Sequence, residues 1–180
     1  MYVHNGRPIT KERRLDREVR VYDRLDELGI SYQRADHEPA DTMEACRAID
    51  EALDMKMCKN LFLCNRQKTE FYLLLMPGDK PFKTKEIPPQ VGCARLSFAG
   101  EEAMLAYLDI EPGAVSVLGL MNDHDGKVQL LIDEDILKAE YVGCHPCVNT
   151  SSLKLKVKDV TDVFLPAVKH EPIIVHLTGE

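Results

Sequence analysis

The sequence predicts a single α/β domain with one curved, mixed and largely antiparallel β-sheet of about seven strands, surrounded by helices. The chain has 180 residues, which is enough to bury one hydrophobic core. Segments with helical periodicity are interspersed with short apolar segments of the kind that form strands. The two kinds do not alternate regularly along the chain, so a doubly wound parallel sheet is not expected.

The N-terminal part is predicted to form a helix and a strand. Thr10 can cap a helix that ends at about Leu28, before a glycine. The apolar side chains of this helix recur at helical spacing and form one stripe: Leu15, Val19, Tyr22 and Leu25. Residues 30–37 then have the composition of a strand, which the proline at position 39 ends.

A second helix and two central strands are predicted next. Asp41 and Glu44 fit a capping box at the start of a helix that runs to about Leu53. Residues 59–64 and 70–76 are strongly apolar and are separated by a polar turn. We expect these two strands to lie in the centre of the sheet.

The C-terminal half is predicted to contribute the remaining strands. Residues 115–122 and 127–132 are interpreted as a hairpin about 123–126, where two aspartates and a histidine beside a glycine favour a turn over a metal site. The tail, residues 170–180, either adds an edge strand or pairs with another chain. The other predicted elements are strands at 94–98, 140–144, 153–157 and 172–177, helices at 100–108 and near 159–164, and a helical turn at 134–138.

The composition is typical of a globular protein without a membrane anchor. Hydrophobic residues make up 44% of the chain and charged residues 29%. No stretch approaches the roughly 18 apolar residues of a membrane span. The first 20 residues are polar and charged, so no secretory signal is predicted and a cytoplasmic location is expected.

The net charge of −7 argues against broad binding of DNA or other nucleic acid, which requires a basic face. It is compatible with docking of one nucleic-acid end on a local basic patch, although each candidate segment taken alone is also typical of a solvated surface. The candidate segments are Arg13, Arg14, Arg17, Arg20 and Arg24, then Lys80, Lys83 and Lys85, and finally Lys154, Lys156 and Lys158.

Residues 143–147, Gly-Cys-His-Pro-Cys, allow two interpretations. Cys144 and Cys147 form a C-x-x-C pair, which in redox proteins opens a helix that lowers the pKa of the first thiol. The residues that follow predict loop and strand instead, so a redox dithiol is disfavoured. The other four cysteines form no second pair, so we predict neither a metal nor a cofactor and interpret the cysteines as free thiols. The second interpretation is a Gly-x-His-Pro turn that presents His145 at a pocket.

Six short segments carry a resemblance to a known family. They are Lys-Asn-Leu-Phe-Leu at 59–63, Met-Pro-Gly-Asp-Lys at 76–80, Arg-Leu-Ser-Phe-Ala at 95–99, Gly-Ala-Val-Ser at 113–116, Gly-Leu-Met-Asn-Asp at 119–123 and Gly-Cys-His-Pro at 143–146. In this order they resemble the YbaK/prolyl-tRNA-editing family of aminoacyl-tRNA deacylases, and within it the free-standing ProX-type proteins. The resemblance covers most of the chain, from about residue 15 to residue 165.

This resemblance implies the family's fold, a curved mixed sheet with surrounding helices, and the hydrolysis of a mischarged aminoacyl-tRNA. The first candidate substrate is alanyl-tRNA carrying the proline anticodon, so the implied partner is the acceptor end of tRNA for proline, with prolyl-tRNA synthetase as a further candidate. The family's key positions fall on Lys59, His145 and the loop opened by Gly113. Val117 stands where many relatives have proline, which bears on loop rigidity and selectivity more than on the reaction.

The residue types suit such chemistry. An aminoacyl ester is already activated, so its hydrolysis requires a held carbonyl, a stabilised oxyanion and a positioned water. Lys59 heads an apolar strand, from which its ammonium either enters a pocket or lies in water. The backbone amides after Gly113 form either an oxyanion hole or an ordinary turn, and His145 is expected to shape the amino-acid pocket. The residues predicted to bind substrate around these groups are Asn60, Ser116, Gly143, His37 and Thr42.

Three alternatives stay open at this point. The amino acid removed could be another small one such as cysteine, because one methylene changes pocket binding by only about 1–3 kcal/mol. The fold could serve as a non-catalytic module that binds tRNA or a synthetase. The least favoured alternative is a dithiol redox protein that uses Cys144 and Cys147.

Overall fold

The computed structural model describes residues 1–180 and confirms a single-domain α/β fold. It contains nine strands rather than about seven, divided between two sheets, and residues 3–5 form a strand that the sequence did not predict. The strands are β1 (Val3–Asn5), β2 (Gln33–Asp36), β3 (Cys58–Asn65), β4 (Phe71–Pro77), β5 (Leu96–Phe98), β6 (Val128–Asp133), β7 (Tyr141–Cys144), β8 (Ser151–Lys156) and β9 (Ile173–Val175).

The two sheets meet along one seam. The first sheet has the order β1-β2-β8-β7 and is entirely antiparallel. The second has the order β5-β3-β4-β6-β9, in which β6 pairs with β4 and β9 in parallel. A single parallel bridge between Met57 and Gly143 joins the start of β3 to β7. The mixed, largely antiparallel arrangement is therefore confirmed, and β9 is the edge strand that was one of two predictions for the tail.

Seven short helices complete the chain, and no helix combines the length and the apolar character needed to cross a membrane. They are α1 (Asp16–Glu27), α2 (Met43–Leu53), α3 (Pro88–Val91), α4 (Glu101–Leu108), α5 (Glu134–Lys138), α6 (Val157–Asp159) and α7 (Leu165–Ala167). A π-helical stretch at Val160–Phe164 makes α6 and α7 one continuous helical segment. This segment extends the helix predicted near 159–164.

Two helix starts differ from the prediction by a few residues. Helix α1 begins at Asp16 and not after Thr10, because Arg13 adopts a left-handed backbone conformation with φ of 62° that a helix cannot contain. Helix α2 is capped by Thr42 and not by Asp41. The Thr42 hydroxyl accepts a hydrogen bond from the amide of Ala45 at 3.1 Å.

The predicted hairpin at 115–132 is wrong in its first half, because Val117–Asn122 form a 3₁₀ helix and only β6 is a strand. The misassigned run is apolar without alternation, a pattern that fits a fully buried strand and a buried helical turn equally well. Val117, Leu118 and Leu120 are all fully buried. The turn at 123–126 is confirmed, and the Asp123 carboxylate accepts the amides of Lys127 and Val128 at 3.0 and 2.8 Å.

The strands separate three apolar layers. The main core lies between the two sheets and includes Phe62, Leu73 and Leu153. A second layer packs on the opposite face of the β3–β4 pair and includes Leu63 and Leu74. A third and smaller layer lies beneath α2 and consists of Ala35, Ile49 and Leu53, with Met55 and Met57 against it.

Two glycines enclose Met57 at the seam between the sheets. A Cβ atom at Gly78 would lie 2.2 Å from the carbonyl oxygen of Met57, and one at Gly143 would lie 2.9 Å from the Met57 sulfur. A backbone oxygen cannot move aside as a side-chain end can, so the contact at Gly78 is the stricter of the two. The seam therefore requires a residue without a side chain at position 78.

The first prediction concerns this contact. Gly78→Ala is expected to lower the free energy of unfolding by about 1–3 kcal/mol, because the added methyl group overlaps the Met57 carbonyl and the seam must open. Urea unfolding followed by circular dichroism measures this. Gly100→Ala is the matched control, since nothing lies within 4 Å of a Cβ at Gly100 and its φ is −81°. Equal effects of the two substitutions would contradict the steric requirement.

Candidate active site

The predicted site residues divide between the two faces of the sheet, and the larger group lies on the face that α2 covers. Side chains of a strand alternate between its faces. Ala35 packs beneath α2, so His37, two residues later, points to the same side. Ser152 pairs with Ala35 in register and shares this face. We call it the outer face, because the main core lies on the other side of these strands.

Register at the seam places Lys59 and His145 two residues beyond the bridged pair. The bridge between Met57 and Gly143 is parallel, so advancing two residues along each strand leads to Lys59 on one and His145 on the other. Both residues keep the orientation of the bridge pair. The cysteines between them, Cys58 and Cys144, also interact with each other. The two residues that sequence analysis ranked highest thus follow the seam on the outer face, one at the start of β3 and the other just after β7.

A cleft of about 690 Å³ opens on the outer face beside this pair. Its walls are the N-terminal half of α2, the start of β3 and the turn after β4. Lys59 and Thr42 are in the lining, whereas His37 and His145 lie outside it. The remaining lining residues are Ala40, Asp41, Met43, Cys46, Arg47, Asp50, Lys56, Met57, Cys58, Gly78 and Asp79.

The ammonium of Lys59 is held at the edge of the cleft by a backbone group. Lys59 is half-buried, and its Nζ donates a hydrogen bond to the carbonyl oxygen of Lys80. A lysine ammonium has three N–H donors, so two remain for groups that enter the cleft. The side chain therefore has both a fixed position and spare hydrogen-bonding capacity.

The two histidines have different hydrogen-bonding roles. The Nδ1 atom of His145 lies 2.9 Å from the carbonyl oxygen of Ser151, and a carbonyl only accepts, so Nδ1 carries the proton. The Nε2 atom of His145 has no partner within the protein. His37 uses both nitrogens, with Nδ1 at 2.7 Å from the Glu38 carbonyl and Nε2 at 2.8 Å from the Ser152 hydroxyl. Of the pair, whose rings lie 6.2 Å apart, only His145 has a free nitrogen.

Burial lowers the pKa of His145 below its ordinary value of 6.5. The hydrogen bond to the Ser151 carbonyl opposes this shift, while the neighbouring His37 adds to it. The imidazole is therefore neutral near pH 7, and its Nε2 atom is a hydrogen-bond acceptor. Such an atom suits a cationic or neutral donor, such as an α-ammonium group, better than an anion.

Asn60 and Ser116 act from the other face of the sheet. Asn60 follows Lys59 in β3 and points the opposite way, where its Oδ1 accepts the amide of Val117 at 2.8 Å. Ser116 is fully buried and caps the 3₁₀ helix by accepting the amide of Leu118 at 3.2 Å. Both residues hold the loop beneath the site, and neither is exposed in the cleft as substrate binding was predicted to require.

The loop after Gly113 uses several of its amides internally. The amide of Ala114 donates to Glu111 at 3.2 Å, and those of Val117 and Leu118 are engaged as described. An oxyanion hole built from these three amides is not available. Gly113 itself is exposed, adopts φ of 89° and lies against the side chain of Asn149. Asn149 in turn binds Ala40 and Asp41, so this loop touches the rim of the cleft only indirectly.

The cysteines are free, and those of the C-x-x-C pair are buried. Burial raises the pKa of Cys58 to about 11 and that of Cys147 to about 12, and it also raises the pKa of Cys144. A thiol must ionise to become a nucleophile. Strand β8 follows the pair where a redox motif would open a helix, so the geometry favours the interpretation based on His145 over the redox one.

Four of the eleven basic residues proposed for nucleic-acid docking pair with carboxylates, namely Arg14, Arg17, Arg20 and Lys80. Arg14 pairs with Glu18 and Asp36 at 2.8 and 3.0 Å, and Arg20 pairs with Asp109. Arg47, which sequence analysis missed, is exposed in the cleft lining and has no acidic partner. The signal that could have found it is its position in the first half of α2, the helix that Thr42 caps and whose start lines the cleft.

Comparison with known proteins identifies relatives across nearly the whole chain. The model of the family described as aminoacyl-tRNA editing domain matches residues 37–163. The prolyl-tRNA editing protein ProX of Acetoanaerobium sticklandii is 32% identical over 83% of this chain and 91% of its own. The prolyl-tRNA synthetase associated domain-containing protein 1 of Mus musculus is 31% identical over 85% of this chain and 92% of its own.

Solved structures support the same fold. A crystal structure of a proposed trans-editing enzyme for prolyl tRNA synthetase superimposes with a TM-score of 0.66 and covers 91% of this chain and 99% of that one, at 16% identity. The hypothetical protein APE2540 has a TM-score of 0.65 at 15% identity and covers 88% of this chain and 98% of its own. At such identities the likeness concerns the fold alone.

The second prediction follows from the buried imidazole. Since the folded-state pKa of His145 lies below 6.5, the unfolded chain binds more protons below that pH, and the free energy of unfolding falls as the pH decreases through this region. His145→Asn removes this contribution. We therefore expect the difference in unfolding free energy between wild type and variant to shrink or reverse from pH 7.5 to pH 5. Urea unfolding at each pH measures it, and parallel pH curves for the two proteins would contradict the lowered pKa.

Proposed function

The chain belongs to the aminoacyl-tRNA editing domain family, and from this premise we propose that it is a trans-editing hydrolase. The proposed reaction is deacylation of mischarged tRNA, with alanyl-tRNA for proline as the first candidate substrate. The names of the relatives support tRNA for proline as the nucleic acid, and prolyl-tRNA synthetase as a further candidate partner. The single observation that carries the catalytic assignment is the position of Lys59 in the lining of the open cleft, with its ammonium anchored on the Lys80 carbonyl and two N–H donors unused.

The proposed mechanism positions the ester and does not form a covalent intermediate. A water molecule attacks the carbonyl carbon, the bond to the ribose oxygen breaks, and a proton passes to the departing hydroxyl. The two free N–H donors of Lys59 can hold the carbonyl or ribose oxygen as negative charge develops on it. No serine or thiol nucleophile is required, which agrees with the buried state of Cys144 and Cys147.

The neutral His145 is proposed to recognise the amino acid and not to act as a general base. Its Nε2 lone pair can accept a hydrogen bond from the α-amino group of the esterified residue. His37 and Ser152 support the ring from behind, since the Ser152 hydroxyl lies 2.8 Å from His37 and 3.4 Å from His145. Gly143 leaves room for Met55 and Met57 beside it. These methionines form an apolar floor that suits a small side chain, so alanine and cysteine both remain candidates.

The third prediction tests the reaction directly. Wild-type protein is expected to hydrolyse alanyl-tRNA for proline, and Lys59→Ala is expected to lower kcat/KM by about 10²–10³-fold, the usual loss when an oxyanion donor is removed. Deacylation of radiolabelled alanyl-, cysteinyl- and prolyl-tRNA for proline measures rate and selectivity together. Lys127→Ala, at an exposed lysine in the turn before β6, is the matched control.

The outcomes of this assay separate the remaining alternatives. Preferential loss of cysteine would keep the mechanism and reassign the amino acid. Hydrolysis of none of the three substrates, together with measurable tRNA binding, would replace the enzyme by a binding module. Activity that disappears in a Cys144→Ser/Cys147→Ser variant with an intact fold would return the redox interpretation to consideration.

The fourth prediction concerns the approach of the tRNA. Arg47 and Lys59 are the cations in the cleft lining that have no acidic partner, and we expect Arg47 to contact a phosphate or ribose of the acceptor end. Arg47→Ala should raise KM about threefold to tenfold. It should also reduce the slope of the logarithm of the tRNA binding constant against the logarithm of the salt concentration by about one unit. Arg66→Ala, at the opposite end of β3, is the matched control. An unchanged salt slope in Arg47→Ala would remove this residue from the tRNA surface.

A further inference from the structure

Lys80 is one of the basic residues that sequence analysis considered for nucleic-acid docking, yet its ammonium is fully used inside the protein. Its Nζ donates to Asp133 at 2.6 Å, to Asp135 at 2.7 Å and to the carbonyl oxygen of Leu177 at 2.7 Å. An ammonium has three donors, so none is left for a ligand. The Lys80 side chain is 15% exposed and that of Asp133 is completely buried. The structure therefore assigns this lysine to an internal ion-pair network.

The backbone of the same residue holds Lys59. The carbonyl oxygen of Lys80 accepts the hydrogen bond from the Lys59 ammonium, so the position of one lysine is fixed by the backbone of the other. Lysine has a long and flexible stem, and its charge is placed accurately only when a rigid group anchors it. Here the rigid group is a turn whose lysine side chain is bound to Asp133 in β6, to Asp135 in α5 and to the C-terminal segment.

A competing partner lies next to this anchor. Asp79 directly precedes Lys80 and interacts with Lys59 through its charge. The hydrogen bond from Lys56, at 2.7 Å, is the largest cause that lowers the pKa of Asp79, which is therefore ionised at neutral pH. If the turn moved, the Lys59 ammonium could pair with this exposed carboxylate. Such a pair would neutralise the charge that the ester oxygen needs.

The C-terminal segment reinforces the turn. The Glu86 carboxylate accepts the amide and the hydroxyl of Thr178, both at 2.7 Å, and the amide of Gly179 at 3.2 Å. Gln90 exchanges two hydrogen bonds with the backbone of His176, at 2.9 and 2.6 Å. The segment from Lys80 to Gln90 is thereby tied to residues 176–179, the stretch that contains the Leu177 carbonyl bound by the Lys80 ammonium.

We propose that Lys80 is a positioning residue for the reaction: its ammonium fixes the turn after β4 on Asp133, Asp135 and the C-terminal segment, so that its carbonyl oxygen aims the Lys59 ammonium into the cleft. This inference rests on the proposed function of Lys59. It assigns Lys80 no contact with the substrate. Loss of the network should therefore affect the rate of the chemical step more than the binding of tRNA.

The fifth prediction uses two kinds of measurement. In Lys80→Met, kcat for the substrate that wild type hydrolyses is expected to fall tenfold or more while KM stays within twofold, and Lys80→Arg should retain more activity than Lys80→Met. The ¹⁵N relaxation of the Lys59 ammonium, measured by NMR, should report an ordered group in wild type and a mobile one in Lys80→Met. Lys138→Met is the matched control, because Lys138 also pairs with Asp135, at 3.3 Å, but is exposed and does not touch the turn.

A second pair of variants guards against loss of folding. Lys80→Met leaves the buried Asp133 without its charged partner, which is strongly destabilising, whereas the double variant Lys80→Met/Asp133→Asn removes both charges of this buried pair. Glu86→Ala releases the C-terminal segment and leaves the Lys80 ion pairs intact. We expect the double variant to reproduce the loss in kcat and the mobility of Lys59, and Glu86→Ala to show both effects to a smaller extent.

The experiment distinguishes failure of this inference from failure of the proposed function. Unchanged kcat and an equally ordered Lys59 in the folded double variant would overturn the positioning role, while the contrast between wild type and Lys59→Ala would still support an editing hydrolase. If wild type hydrolyses none of the substrates, the proposed function fails. The relaxation measurement then still decides whether Lys80 holds the Lys59 ammonium in place. The inference is overturned if this ammonium is as ordered in the double variant as it is in wild type.

Discussion

The structure depends on the close approach of three chain segments at Met57. Its carbonyl oxygen lies against Gly78 on one side and its side chain against Gly143 on the other, and its backbone forms the only bridge between the two sheets. Because the bridge is parallel, it sets the relative position of the residues that follow on each strand. The same register brings Cys58 against Cys144 and places Lys59 and His145 two residues beyond the bridged positions.

The site separates the groups that meet the substrate from the groups that hold them. Lys59 and the free nitrogen of His145 face outward, whereas Asn60 and Ser116 stabilise the 3₁₀ helix from the core side. Each outward group has a fixed partner behind it, a backbone carbonyl in both cases. This arrangement suits an ester that is already reactive, because preorganised donors and acceptors are more useful to it than a strong nucleophile.

The sequence predicted the elements whose patterns are local and unambiguous. The apolar strands β3 and β4, the C-terminal end of the amphipathic helix α1 and the short helix α5 were all placed within a few residues, and the motif resemblance led to Lys59 and His145. The run at 115–122 failed because full burial on all sides removes the alternation that distinguishes a strand from a helical turn. The start of α1 failed because Arg13 adopts a backbone conformation that its identity does not reveal. The roles of Asn60 and Lys80 depend on partners 21 to 97 residues away, and no local pattern contains that information.

The opposite orientations of Lys59 and Asn60 make the site sensitive to strand alignment. Side chains in a strand change face with every residue, so a slip of β3 by one position against β4 would turn Asn60 toward the cleft and send the Lys59 charge into the core. Insertions in the turn between these strands, at 66–69, leave that alignment unchanged. A single residue inserted or deleted between Met57 and Asn60 would change that alignment. Natural length variation in this family should therefore be rare in the first three residues of β3 and common at its far end, a pattern of indels that can be read from genomes without measuring any activity.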